Sequence, residues 1–166
     1  MRSQNIIITE SMLASNGKRF INYLIDLIPQ YAISFGIGYA SVYLAEYIGY
    51  YGLSDFLLDI SFAEELLFNY VLLIFYYVLF ESLTSKSLGK YATNTKVILQ
   101  NGQEPTPKDI LIRSFCRLIP FDALSFLGTK GKGWHDSISK TYVVDSEAFE
   151  AAKLLANELD QIGHLS

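Results

Sequence analysis

Six charged side chains stand where this chain could use them for chemistry: Arg19, Asp26, Glu81, Arg113, Arg117 and Asp136. Asp26 and Glu81 interrupt long apolar stretches. An ionisable group at such a place is costly unless it is paired, so it calls for a named partner. Two uses fit. A carboxylate in a polar cleft binds a proton or a monovalent cation, or it forms a structural clamp with arginines. The balance between desolvation and a neighbouring guanidinium decides which. Arg19, Arg113 and Arg117 are the candidate partners. Asp136 follows His135, but a local turn cap after Gly131 and Gly133, or an acceptor for an arginine, explains it better than catalysis does.

The elements that must position these groups follow from charge and hydropathy. The chain has 166 residues, is 51% hydrophobic and only 18% charged, and its mean hydropathy is +0.24. All 13 Lys and Arg lie outside residues 20–85, whereas seven acids lie inside: Asp26, Glu46, Asp55, Asp59, Glu64, Glu65 and Glu81. A soluble domain has no reason to exclude every cation from such a window. About 20 apolar residues cross a hydrocarbon core roughly 30 Å thick. Residues 20–48 supply one span, with Pro29 inside it and Tyr39, Tyr43, Tyr47, Tyr50 and Tyr51 crowding its far end as an interfacial belt. Residues 64–85 supply a second, in which Glu81 must be paired or snorkel.

Orientation follows from the cations. The acidic connection 49–63 is expected outside, and the polar segment 1–19 and the Lys/Arg-rich stretch after residue 86 inside, with both termini cytoplasmic. Residues 86–106 read as a strand (residues 95–99) and the turn pair Asn101-Gly102. Residues 107–127 start at Thr106 as N-cap with Pro107 at the first helical position. Their apolar face and the pair Arg113 and Arg117 predict an interfacial or re-entrant helix, with a short third span as the alternative. In the region 128–166, residues 141–144 read as a strand. Residues 6–9 are a third candidate for a small cytoplasmic sheet. A closing amphipathic helix places Ala148, Ala151, Leu155, Leu159 and Ile162 on one face. The fold class is therefore an α-helical membrane protein with a small β element.

On the first span Arg19, Asn22, Asp26, Gln30, Ser34, Gly38 and Ser41 recur every three or four residues as one polar, small-residue face. Gly36 and Ala40 would admit a close helix neighbour. On the second, Asn69, Tyr76, Tyr77 and Glu81 share a side. Several functions are disfavoured. A net charge of −4 argues against nucleic acid as a partner. A lone Cys116 excludes a disulfide scaffold, and the scarcity of Cys and His disfavours a metal site. Cys116 reads as packing, Trp134 as an interfacial anchor. Gly89-Lys90 lacks the spacing of a phosphate loop. No enzyme activity and no cofactor are expected.

Three short motifs carry a family resemblance. Gly17-Lys18-Arg19 is followed by Ile25-Asp26, seven residues from arginine to aspartate. Leu88-Gly89-Lys90 comes after the second span. Gly133-Trp134-His135-Asp136 and then Thr141 close the region. Their order around two spans resembles the RDD family of small bacterial membrane proteins, over about residues 17–144. Cys116-Arg117-Leu118-Ile119-Pro120-Phe121-Asp122 looks like a variant found in part of that family. The resemblance implies an integral protein of the bacterial inner membrane, with cation/proton antiport as one activity suggested for members. Two spans need a homo-oligomer to build a transport path. Two functions are therefore expected: a subunit of an ion-translocating oligomer using Asp26, or an adaptor that stabilises other membrane subunits. The lipid bilayer is a partner in both.

Overall fold

The computed structural model describes residues 6–125 and 132–163. Expectations for Arg2, Lys130, residues 126–131, the side chain of Ile162 and His164 lie outside them. Two long helices dominate. Helix α1 (Asn16–Tyr43) starts at Ser15, whose hydroxyl accepts from the Lys18 N–H, and runs on as a π-helical turn, Leu44–Ile48, to Gly49 at φ 73°. Helix α3 (Phe62–Thr84) opens with a reciprocal cap between Ser61 and Glu64. Both are long and apolar enough to cross a membrane. Large side chains such as Phe35, Tyr39, Leu67 and Leu83 stay exposed on them, as a lipid-facing surface requires. The whole is a mostly helical architecture of membrane type.

The connection expected as a plain loop over 49–63 contains helix α2 (Gly52–Asp59). Beyond α3, which ends at Ser85 in a left-handed conformation (φ 57°), come the short helix α4 (Leu88–Ala92) and strand β1 (Thr95–Leu99). Helix α5 (Pro107–Cys116) begins at Thr106 with Pro107 in its first turn, and Thr106 and Asp109 cap each other. It is shorter than the expected 107–127 element. Its ten residues reach only about 15 Å, half a hydrocarbon core. The chain then turns through Pro120 into α6 (Asp122–Ser125). Among the described residues no third helix is both long and apolar enough to span. Helix α7 (Trp134–Ile138), strand β2 (Thr141–Asp145) and helix α8 (Ser146–Gly163) complete the chain.

The sheet is antiparallel, with Val97 opposite Val143 and Thr95 opposite Asp145. Residues 6–9 do not join it as the third strand. Instead Leu13 bridges to Val144 and the Ala14 N–H donates to the Val143 carbonyl at 2.9 Å. Ile6 and Ile8 still cover the core of Ile98, Val144 and Phe149, so their apolar character serves packing and not pairing. Helix α8 also differs from its expected face. Phe149 is buried, while Leu154, Leu155 and Leu159 are exposed, because only the first turns of α8 lie over the sheet. Asn101-Gly102 does turn the chain, with Gly102 at φ 79°.

Helix α4 lies against α1 at a distance only glycine allows. A Cβ on Gly89 would sit 2.3 Å from the Asn22 carbonyl oxygen. Asn22, oriented so that both amide atoms have partners, accepts from Thr95 Oγ1 at 3.0 Å and donates to the Gly89 carbonyl at 2.9 Å. Gly89→Ala must push the two backbones apart. It is expected to cost at least about 1–3 kcal/mol, the usual penalty of overpacking, read as a lowered thermal midpoint in detergent.

Candidate functional site: a buried charge network

The N-terminal third of α1, the C-terminal turn of α3, and α4, α5 and α7 meet at one end of the two spans. At that junction Arg19, Asp26, Glu81, Lys90, Arg113 and Asp136 are all buried. Charges removed from water survive only if their partners are placed with good geometry, and here each faces a placed partner.

Asp26 is 1% exposed. Its Oδ1 accepts from the Tyr76 hydroxyl at 2.7 Å and the Gly89 N–H at 2.7 Å, and its Oδ2 accepts from the Ser87 hydroxyl at 2.6 Å. The Leu88 N–H in turn donates to the Tyr76 oxygen at 3.2 Å. Asp26 is thus a capping carboxylate for the first turn of α4. This corrects the expectation that Asp26 pairs with an arginine. The arginines lie against Glu81 and Asp136, and three neutral donors satisfy Asp26.

Glu81 is fully buried and gathers three cations. Its Oε1 accepts from Lys90 Nζ at 2.7 Å and from Arg117 at 3.2 Å, and its Oε2 lies 3.3 Å from Arg113 Nε. Lys90 also donates to the Ser87 hydroxyl at 3.3 Å, which links this group to Asp26. Arg117 stacks over the Tyr77 ring, 3.7 Å from its centroid. Burial pushes the Lys90 ammonium down from its ordinary range, against the pull of Glu81.

Asp136 is the third acid. It accepts from Arg19 through Oδ2 and from Arg113 through Oδ1, and it caps its own helix by accepting the Gly133 N–H at 2.9 Å. Burial alone would raise its pKa, but the Arg113 and Arg19 guanidiniums hold it well below the usual carboxylate range. Arg113 also donates to the Thr141 hydroxyl at 2.8 Å, at the start of β2. Arg113 therefore joins the Glu81 and Asp136 groups, and one connected network ties the spans to the sheet.

All six expected site residues, Arg19, Asp26, Glu81, Arg113, Arg117 and Asp136, meet here. Lys90, Tyr76 and Ser87 were not among them. Lys90 and Tyr76 carried signals in the sequence, one in the Leu88-Gly89-Lys90 motif and the other on the polar side of the second span. Ser87 carried none. Gln30, Ser34 and Gly38, also on the polar face of α1, lie farther along the helix and outside the network. Among the described residues no group of three or more His, Cys, Asp or Glu side chains is placed to hold a metal ion.

His135 closes the network on the α7 side. Its Nδ1 lies 2.5 Å from Asp122 Oδ2, and its backbone N–H donates to Asp122 Oδ1 at 2.9 Å. Burial chiefly lowers its pKa to about 4; Asp136 opposes the shift, and Arg113 and Arg117 add to it. The imidazole is therefore neutral at pH 7. An unfolded histidine titrates near 6.5. Between about 6.5 and 4 the unfolded chain takes up a proton that the folded chain refuses. Stability present above pH 6.5 is thus lost as pH falls through that window. The thermal midpoint is expected to drop between pH 7 and 4.5, and His135→Asn to flatten that slope.

A small cavity of about 40 Å³ opens within the cluster, bordered by Arg19, Asp26, Lys90, Arg113 and Arg117 among others. Comparison with known proteins places the chain. The model of the RDD family matches residues 13–143, most of its length. No curated protein and no solved structure matches it.

Proposed function

The chain belongs to the RDD family, and on that premise we propose that it is a non-catalytic membrane adaptor whose buried charges act as a structural clamp. The clamp fixes α4, α5, α7 and the sheet to the ends of two spans, and so presents α8 and its exposed Leu154, Leu155 and Leu159 as a platform. One observation carries the reading: both intramembrane acids are already consumed by protein donors. Asp26 accepts three hydrogen bonds and Glu81 faces three cations. A carboxylate that exchanges a cation would need open coordination sites. The alternative, an oligomeric cation/proton transporter using Asp26, has the adjoining cavity in its favour, but that cavity is bordered by four cationic side chains and one acid.

In this reading the protein sits in the bacterial inner membrane with both termini cytoplasmic, because nine Lys and Arg in residues 86–140 face only four acids there. Exposed Trp134, Phe121 and Phe115 rest at the bilayer interface on the same side. Its partners are the lipid bilayer and other membrane subunits, or further copies of itself.

Asp26→Asn separates the two readings. The amide keeps one acceptor oxygen but meets the Ser87 hydroxyl with an NH₂. A clamp predicts a loss of about 1–3 kcal/mol, the scale of a buried hydrogen bond to a charged group, read by thermal unfolding in nanodiscs. It also predicts no cation-dependent proton flux in proteoliposomes of the wild type. Flux that vanishes in a variant of undiminished stability would establish transport instead.

A further inference from the structure

We infer that the groove between the two spans is the docking face for a second copy of this chain, held by hydrogen bonds between Gln30 of one copy and Asn69 of the other. The inference rests on the membrane adaptor reading and deepens it by naming one partner.

The groove runs between α1 and α3, on the outer side of the charge network. Gln30, Tyr31 and Ser34 stand on one wall and Leu66, Asn69 and Leu73 on the other, around a space of about 300 Å³. A second groove shares Tyr31 and Ser34 with it and continues along α1 past Gly38. Gln30 comes four residues after Asp26, and Asn69 seven residues before Tyr76, which bonds Asp26. The helix rise therefore sets the two amides about 6 and 10 Å farther into the hydrocarbon than the network.

Hydrogen-bond demand is the first argument. Asn69 is exposed and Gln30 half-buried, and neither side-chain amide has a hydrogen-bond partner among the described residues. The neighbouring Ser34 hydroxyl is already satisfied, donating to the Gln30 backbone carbonyl at 3.2 Å. Hydrocarbon offers neither donors nor acceptors, so an open amide is costly there. Asn and Gln in spans meet that demand by bonding to another helix.

Complementarity is the second argument, and it selects a second copy. A carboxamide both donates and accepts, so a face that carries two is complementary to itself. Two copies inserted the same way, related by a two-fold axis along the bilayer normal, bring their amides to the same depths. Gln30 of each then meets Asn69 of the other, the reciprocal pattern of such an interface. An acyl chain in the groove would leave both amides unpaired. Room is the third argument. A Cβ on Gly38 would meet nothing within 4 Å, so no packing inside the chain calls for glycine at this place. A neighbouring helix gains close approach from it.

The test uses the full-length protein carrying donor or acceptor fluorophores, mixed in liposomes at falling protein-to-lipid ratio. Wild-type energy transfer is expected to follow a monomer–dimer isotherm. Asn69→Leu and Gln30→Leu are each expected to raise the dissociation constant by about three- to thirtyfold per hydrogen bond lost. Both variants are expected to fold, because neither amide belongs to the charge network. Oxidative cross-linking gives a second readout. Tyr31→Cys and Ser34→Cys should link two copies, whereas Phe75→Cys, in the groove facing α5, should not. The native Cys116 is buried. Energy transfer no greater than chance proximity would overturn the proposal and leave the groove to lipid or to another subunit. A dimer that both leucine variants leave unchanged, or that links through Phe75→Cys instead, would overturn it as well. Failure of the dimer is distinct from failure of the clamp. A monomeric wild type leaves Glu81→Gln destabilising, whereas a failed clamp leaves Glu81→Gln harmless and the dimer in place.

Discussion

Glu81→Gln is expected to be among the most damaging single changes in this protein. The substitution is nearly isosteric, so packing is preserved and the effect isolates charge. It leaves Lys90, Arg113 and Arg117 facing a neutral amide, and Lys90 loses the carboxylate it is ion-paired with. Removing one member of a buried ion pair costs about 3–5 kcal/mol, because the survivor stays buried without compensation. Against a total stability of about 5–15 kcal/mol for a typical domain, such a loss is large. The expected readout is a sharply lowered thermal midpoint and a reduced yield of monodisperse protein in detergent. A midpoint within a degree or two of wild type would mean that water reaches these cations and that the network is not a clamp.

Asp136→Asn is expected to have a comparable cost, about 3–5 kcal/mol, through a different set of contacts. Asp136 holds Arg19 of α1 and Arg113 of α5 and caps α7 through the Gly133 N–H. Its loss therefore loosens α7 and β2 from the spans, while the Glu81 group on the α3 side keeps its three cations. Because Arg113 touches both acids, the two substitutions share a partner, and their combined cost is expected to differ from the sum of the single costs. A double-mutant cycle on thermal or denaturant unfolding measures that coupling. Strict additivity would mean that Arg113 does not connect the two groups.

Much of this was legible in the sequence, and the reasons differ by residue. Both spans could be read because 66 residues without a cation are incompatible with a solvated surface. Strand β1 was readable because Thr95, Val97 and Ile98 are β-branched between turn signals. The meeting of Arg19, Asp26, Glu81, Arg113, Arg117 and Asp136 could be expected because buried charges need partners and few were on offer. Which acid takes which arginine could not be read. Asp26 went to Tyr76, Ser87 and Gly89 because α4 packs so closely on α1, a contact set by a glycine whose significance shows only in three dimensions. Residues 6–9 resemble a strand in composition, yet Leu13 and not they bridges to β2. Apolar side chains report burial, and burial is common to strands and to the segments that cover them. The exposed leucines of α8 reflect the same limit, since periodicity marks a face without saying what lies against it.

The most direct test of the clamp is hydrogen–deuterium exchange on the wild type and Glu81→Gln in nanodiscs. The account predicts that amides of α4, α5, α7 and β2 exchange faster together in the variant, while the lipid-embedded middle of α1 and α3 stays protected. Unchanged exchange in those elements, with the variant folded, would contradict it, and the buried charges would then need a purpose other than holding the structure together.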